Sequence, residues 1–239
     1  MISATLLKQT IRENFALWLV IALVQALLLV IMGLTVPNVA MTALTYYQLL
    51  PSILIGIYVI IIGNNLLSQQ VDRGTMAYVL STPIRRTSVS ATQMVFFVGS
   101  LLLMFVLGAA AHIFAMNFSE AGITTEDVEL ILKLNIGLFT LALAFSGIVF
   151  CASSIFNLSK HTIAVGGGLV AAFLLLPIVA MFSEEFNWIK DLSIASLYDP
   201  MLLATGAEGF VWKFVVLAAI GIAAYGVGTV VFARRDLPL

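Results

Sequence analysis

Six long apolar runs separated by short polar breaks set the plan of this chain. A helix needs about 20 apolar residues, rising about 1.5 Å each, to cross a hydrocarbon core about 30 Å thick. Residues 15–34, 47–67, 94–116, 134–156, 162–182 and 214–232 each come to that length, and none of these runs contains Asp, Glu, Lys or Arg. One such charge at the bilayer centre costs about 2.5–3.5 kcal/mol on insertion scales, so their absence predicts spanning helices. The runs are continuously apolar rather than alternating, a poor match to barrel strands. The expected fold is an all-α integral membrane protein of six transmembrane helices, forming one domain over 1–239.

The polar breaks predict further elements. In residues 1–14, Leu7 and Ile11 continue through Phe15 and Trp18 at four- and three-residue steps, with Lys8 and Arg12 off the stripe. That pattern predicts an amphipathic helix on the inner membrane surface before the first span. The apolar run that follows is longer than a signal-peptide core, which favours a retained anchor. The stretch 69–88, QQVDRGTMAYVLSTPIRRTS, predicts a short helix that Asp72 or Thr75 would cap and that Pro83 would end by holding Thr82 extended. Its apolar face is Met76, Val79 and Leu80 at i, i+3 and i+4, with Gly74 and Ser81 elsewhere. Residues 183–213 are too apolar for a plain loop and predict short helices at the outer interface, anchored by Trp188 and Trp212. The acidic stretch with Glu120, Glu126, Asp127 and Glu129 reads as a solvated face.

Composition agrees with the pattern. The chain is 62% hydrophobic and 10% charged, with mean hydropathy +1.11, far more apolar surface than one soluble core of 239 residues can hide. The net charge of −1 is uninformative, but its distribution orients the chain. Lys8, Arg12, Arg73, Arg85, Arg86, Lys160, Arg234 and Arg235, eight of the eleven basic residues, lie in the first, third and fifth exposed segments and the tail. Glu13, Asp72 and Asp236 accompany them, and the other nine of twelve acids lie opposite. The positive-inside rule then predicts both termini and the 68–93 loop in the cytoplasm. The single cysteine, Cys151, leaves no intramolecular disulfide to form.

Candidate chemistry is sparse. No glycine precedes a lysine, so the chain lacks a phosphate loop, and zinc-protease and nucleophile-elbow motifs are absent as well. Ion-coupled carriers keep a charge inside the bilayer, and these runs have none. Energy for uphill movement would then come from another chain. The polar groups within the runs are chiefly Gln25, Asn64, Asn65 and His112, candidates for a pathway lining or for helix packing. Without an intramembrane carboxylate or a second histidine, His112 is expected to satisfy an interhelical hydrogen bond rather than relay protons. The ridge of Met76, Val79 and Leu80 suits a lipid surface or a groove on a partner equally well.

The run DRGTMAYVLSTPIRRTSV resembles the segment between the second and third spans of ABC-type-two transporter permeases. Asp72, Arg73, Gly74, Thr75, Leu80, Ser81, Pro83 and Arg86 match that family's order of an acid–base pair, Gly-Thr, a short apolar helix, Ser-x-Pro and basic residues. FARRDLPL at 232–239 resembles the family's basic ending. Gln70 stands where a further acid is common, and Thr92 and Gln93 stand where a lysine is common.

The resemblance implies a membrane subunit in a bacterial plasma membrane that pairs with a second permease, the same or related, around a central pathway. It implies a separate ABC ATPase that binds ATP and magnesium, leaving this chain without a cofactor or catalytic residue of its own. A coupling helix at 74–81 would dock on that ATPase through Asp72, Arg73, Gly74, Thr75, Met76, Val79, Leu80, Ser81 and Pro83, with the amphipathic N-terminus as a second contact. Hydrophobic or amphipathic cargo, such as an antimicrobial peptide or a drug, would be exported. The lipid bilayer, not a nucleic acid, is the chain's other partner. The competing readings are an ATPase-independent channel or carrier, and a sensing or scaffold subunit of a peptide-resistance system.

Overall fold

The computed structural model describes residues 2–36, 38–82, 84–119, 122–180, 182, 184–206 and 209–236, with the backbone alone at 184–187. Among these residues there is no strand, and the architecture is all-α, as the apolar runs predict. Five helices are long and apolar enough to cross a membrane: α1 (Ala4–Thr35), α6 (Arg86–Met116), α7 (Thr125–Ile155), α8 (Ser159–Ala180) and α10 (Phe210–Arg234). Taken as one, α2 (Val39–Tyr47) and α3 (Leu50–Leu66), which meet at a bend of 45°, make a sixth. The short helices α4 (Ser68–Asp72), α5 (Thr75–Leu80) and α9 (Pro200–Ala204) lie in the connections.

The N-terminal stretch differs from expectation. Residues 4–14 are not a separate surface helix but the first turns of α1, which runs unbroken for 32 residues, about 48 Å. No Gly or Pro interrupts the junction, and Thr10 and Asn14 return their side-chain donors to the carbonyls of Leu6 and Thr10. The amphipathic pattern is real but sits differently: Ile11 and Phe15 face outward, while Leu6, Thr10 and Asn14 are buried against the bundle. Farther along, the Trp18 indole N–H donates to the Ser100 carbonyl at 2.9 Å, fixing α1 to α6.

The second span also begins earlier than its apolar run. Asn38 caps α2 by accepting the Ala40 N–H at 2.7 Å, and Pro51 sits in the first turn of α3, where its missing N–H costs nothing. Of the acidic stretch before the fourth run, Glu126, Asp127 and Glu129 lie in the opening turns of α7, and Glu120 lies outside the described residues. Thr124 and Asp127 form a reciprocal capping box there, and Glu129 pairs with Lys133 at 2.7 Å. Asp127 and Glu129 therefore start and steady a helix.

α7 is the centre of the bundle, packed against α3, α6 and α10. Its closest neighbour is α10. A Cβ on Gly147 would lie 2.6 Å from the Gly221 carbonyl oxygen, and one on Gly221 would lie 2.6 Å from that of Leu143. Between lipid-soluble helices close van der Waals contact must supply the attraction that water supplies elsewhere, and glycine lets two backbones touch.

Beyond α8, short 3-10 turns at Glu184–Leu192 and Ile194–Leu197 lead into α9. These are the expected short helices before the last span. Trp188 and Trp212 are both exposed, Tyr198 is buried, and α9 rests on α2 and α7.

Candidate functional site

The 68–93 loop folds at the end of the bundle where the chain's two ends meet. The Ser3 N–H donates to Thr92 Oγ1 at 3.0 Å, and the Arg86 guanidinium donates to the Arg235 carbonyl at 2.7 Å. Arg235 in turn donates to the Ser154 carbonyl at 2.7 Å and lies over the Phe232 ring. Burial and the nearby Arg86 charge pull the Arg235 guanidinium down to about 10, which leaves it cationic at neutral pH. Arg86 and Arg235 thus clamp the ends of α6, α7 and α10 together.

Between α4 and α5 the backbone reverses at Gly74, whose φ of +71° is left-handed. A Cβ there would meet no neighbouring atom, so backbone conformation alone calls for glycine. Gly74 also occupies the N-cap position, and neither Asp72 nor Thr75 caps α5 as expected. The Thr75 hydroxyl turns back to the Gln70 carbonyl at 3.1 Å. Asp72 serves a different helix: its carboxylate accepts the Ser159 N–H at 3.2 Å, at the positive end of α8.

The apolar ridge of α5 turns partly inward. Met76 is wholly buried, and Val79 and Leu80 are half-buried against the chain's own core. The reason is local: α5 has only six residues, and its single apolar face covers the ends of the spans beneath it. What α5 presents outward is Tyr78, 79% exposed, flanked by Thr75 and Ser81, with Arg73 and Gly74 also exposed. The Ser81 hydroxyl is bonded to the Tyr78 carbonyl at 2.8 Å. Pro83 lies outside the described residues.

A cleft of about 800 Å³ opens between this loop and the first turns of α1. Gln9, Glu13 and Asn14 form one wall, and Asn65, Gln69, Arg73 and Tyr78 form the other. At its floor the Asn65 amide donates to the Asn14 side chain at 3.5 Å. A base on one wall and an acid on the other, with Leu6, Val79 and Ile84 also in the lining and an exposed aromatic beside them, make a mixed polar and apolar surface. No pattern within 69–88 alone pointed to α1 as the second wall. Tyr78, the one aromatic in that stretch, was the available signal for the exposed face.

Most of the remaining polar residues bond across helices. Asn64 joins α3 to α8 by exchanging hydrogen bonds with the Ser159 hydroxyl at 2.7 and 2.9 Å, and it accepts from Ser68 at 2.9 Å. The Ser68 N–H donates to Ser153 Oγ at 3.0 Å, which draws α7 into the same knot. His112 Nδ1 lies 3.3 Å from the Tyr47 hydroxyl, and the Asn135 amide donates to that hydroxyl at 2.9 Å. This interhelical link is the expected role for His112. Gln25 is buried beside Tyr46, and its Oε1 finds no partner among the described residues. Among the described residues no three His, Cys, Asp or Glu side chains gather as a metal site would require.

No curated protein matches the chain. Residues 20–237 match the family described as ABC-2 family transporter protein, from the first span through the basic tail. That coverage, over a bundle of five long helices and one bent span, places the chain in the ABC-2 family of transporter proteins, as a membrane-spanning permease of an ABC-type transport system.

Proposed function

We propose that this permease exports hydrophobic or amphipathic cargo, of the class of antimicrobial peptides or drugs, and that its α1–α5 cleft seats the ATPase that drives it. The observation that carries the docking assignment is the opposed exposure on α5, with Met76 anchored in the bundle and Tyr78 held out beside Arg73 at the cleft. A firmly rooted helix with an exposed aromatic suits force transfer from a partner, since aromatics and arginines dominate protein contacts. The basic residues gathered at this end support a cytoplasmic setting for the cleft and both termini. ATP and magnesium belong to the partner, and a second permease, identical or related, completes the pathway. The uncharged spans, whose polar groups are largely engaged in interhelical bonds, favour amphipathic cargo over free ions.

Co-expression of the chain with an ABC ATPase encoded beside it, followed by purification through a tag on the permease, tests the assignment. A stoichiometric complex that moves labelled amphipathic peptide across proteoliposome membranes in an ATP-dependent manner is expected. An ATPase that never co-purifies would remove the docking assignment, and transport without any ATPase would replace it with a carrier.

A further inference from the structure

α8 is tied at two points along its length, at its start and at Phe173, to two different segments. At its start, the Ser159 N–H is held by the Asp72 carboxylate of the 68–82 loop, and the Ser159 hydroxyl is held by Asn64. Near its far end Pro177 lies inside the helix. Proline has no N–H, so the carbonyl four residues earlier, that of Phe173, loses its intrahelical partner. The buried Ser193 hydroxyl, from the segment between α8 and α10, donates to that same carbonyl, and Ser193 also accepts the Ala195 N–H at 3.1 Å. The gap that Pro177 leaves in the helix is therefore the attachment point of the external turns.

Between the two ties α8 departs from a regular α-helix. It winds as a π-turn over Ile163–Gly167, a geometry concentrated at functional positions in helices. Gly166 and Gly167 bring it close to Ala152 and Ile60, while Ile163, Val165, Leu169, Leu175 and Val179 face outward, away from the bundle. From Ser159 to Phe173 the helix covers about 21 Å.

We propose that α8 carries displacement of the docking loop to the external segment, with Ser159 and Ser193 as its two positioning residues. The proposal rests on the docking assignment for the source of the movement, but its mechanical content belongs to this chain alone. Two ties on one continuous helix let a shift at Ser159 bias the external turns held at Phe173.

Two experiments separate the ideas. In the first, the chain alone in lipid nanodiscs is followed by amide hydrogen exchange, comparing the parent with Ser193→Ala and with Pro177→Ala. Each variant undoes the outer tie from an opposite partner, the second by restoring the missing N–H. Exchange about tenfold faster at 159–167, near the other end of α8, is expected in both. A change confined to 170–197 overturns the proposal, and Pro177→Ala decides it if Ser193→Ala does not fold. In the second, Cys151→Ala, Leu192→Cys chain in complex with the ATPase is labelled with a membrane-impermeant maleimide, with and without ATP and vanadate. Labelling of the exposed residue 192 is expected to change about fivefold on trapping, and to stop responding once Ser193→Ala is added. An undiminished response in the Ser193→Ala background overturns the proposal. If the parent forms no complex, the docking assignment fails and the exchange experiment still decides this one.

Discussion

Met76 and Tyr78 stand two residues apart on α5 and face opposite ways, Met76 with no exposed surface and Tyr78 with 79% of its surface exposed. The pair separates holding the helix from presenting it. Met76→Glu buries an uncompensated charge and is expected to cost of order 3 kcal/mol of stability. Tyr78→Ala is expected to leave the thermal midpoint unchanged while weakening ATPase association by about 2 kcal/mol, or ~30-fold in Kd. Thermal unfolding of the isolated chain and titration with the ATPase read the two effects separately. Equal binding by parent and Tyr78→Ala would move the contact elsewhere on the cleft.

The backbone contact of α7 with α10 supplies a second contrast. Gly221→Ala places its methyl 2.6 Å from a carbonyl oxygen that cannot retreat, and overpacking of this kind costs about 1–3 kcal/mol. Gly226, five residues on, has open space where a Cβ would sit. Gly226→Ala should therefore keep or slightly raise the midpoint, because alanine is the better helix former. Melting both variants in one detergent checks the ranking, and a loss at Gly226 as large as that at Gly221 would contradict the packing.

Neighbouring asparagines should also behave differently. Asn64→Leu breaks the bonds to Ser68 and Ser159 and leaves those hydroxyls short of partners. A loss of about 1–2 kcal/mol is expected, the upper part of the range for interhelical hydrogen bonds in membranes. Asn65→Leu gives up only a long bond to Asn14 at the cleft floor and should unfold like the parent. Its effect, if the cleft seats the ATPase, belongs in the binding titration.

His112 gives a prediction about pH. Its ring faces the Tyr47 hydroxyl, and no carboxylate hydrogen-bonds to it among the described residues. His112→Gln is expected to lower stability by about 1 kcal/mol while leaving the pH profile of transport in proteoliposomes unmoved. A profile displaced by the substitution would restore the histidine to a proton pathway.

What could be read from the sequence was whatever lies along one helix. Charge-free runs predicted spans because a single charge at mid-bilayer is so costly. The facing of α5 was not legible. Met76, Val79 and Leu80 at helical spacing describe a ridge without saying whether the chain's own spans or a partner will cover it. Asp72 shows the same limit: its partner N–H belongs to Ser159, 87 residues onward, so its position before a short helix suggested the wrong end. The break in the second span was hidden too, since residues 39–46 carry neither a charge nor a Gly or Pro that would mark a bend.

The touching backbones at Gly147 and Gly221 decide which parts of this permease can move. Two helices in such contact cannot roll or slide past each other without first separating, so α7 and α10 form a stator. α8 meets α7 less tightly: a Cβ on Gly166 would lie 2.9 Å from the Ala152 methyl, a side chain rather than a backbone atom. A transport cycle that uses the proposed coupling would then turn on a fixed pillar, with α8 as the member that moves beside it.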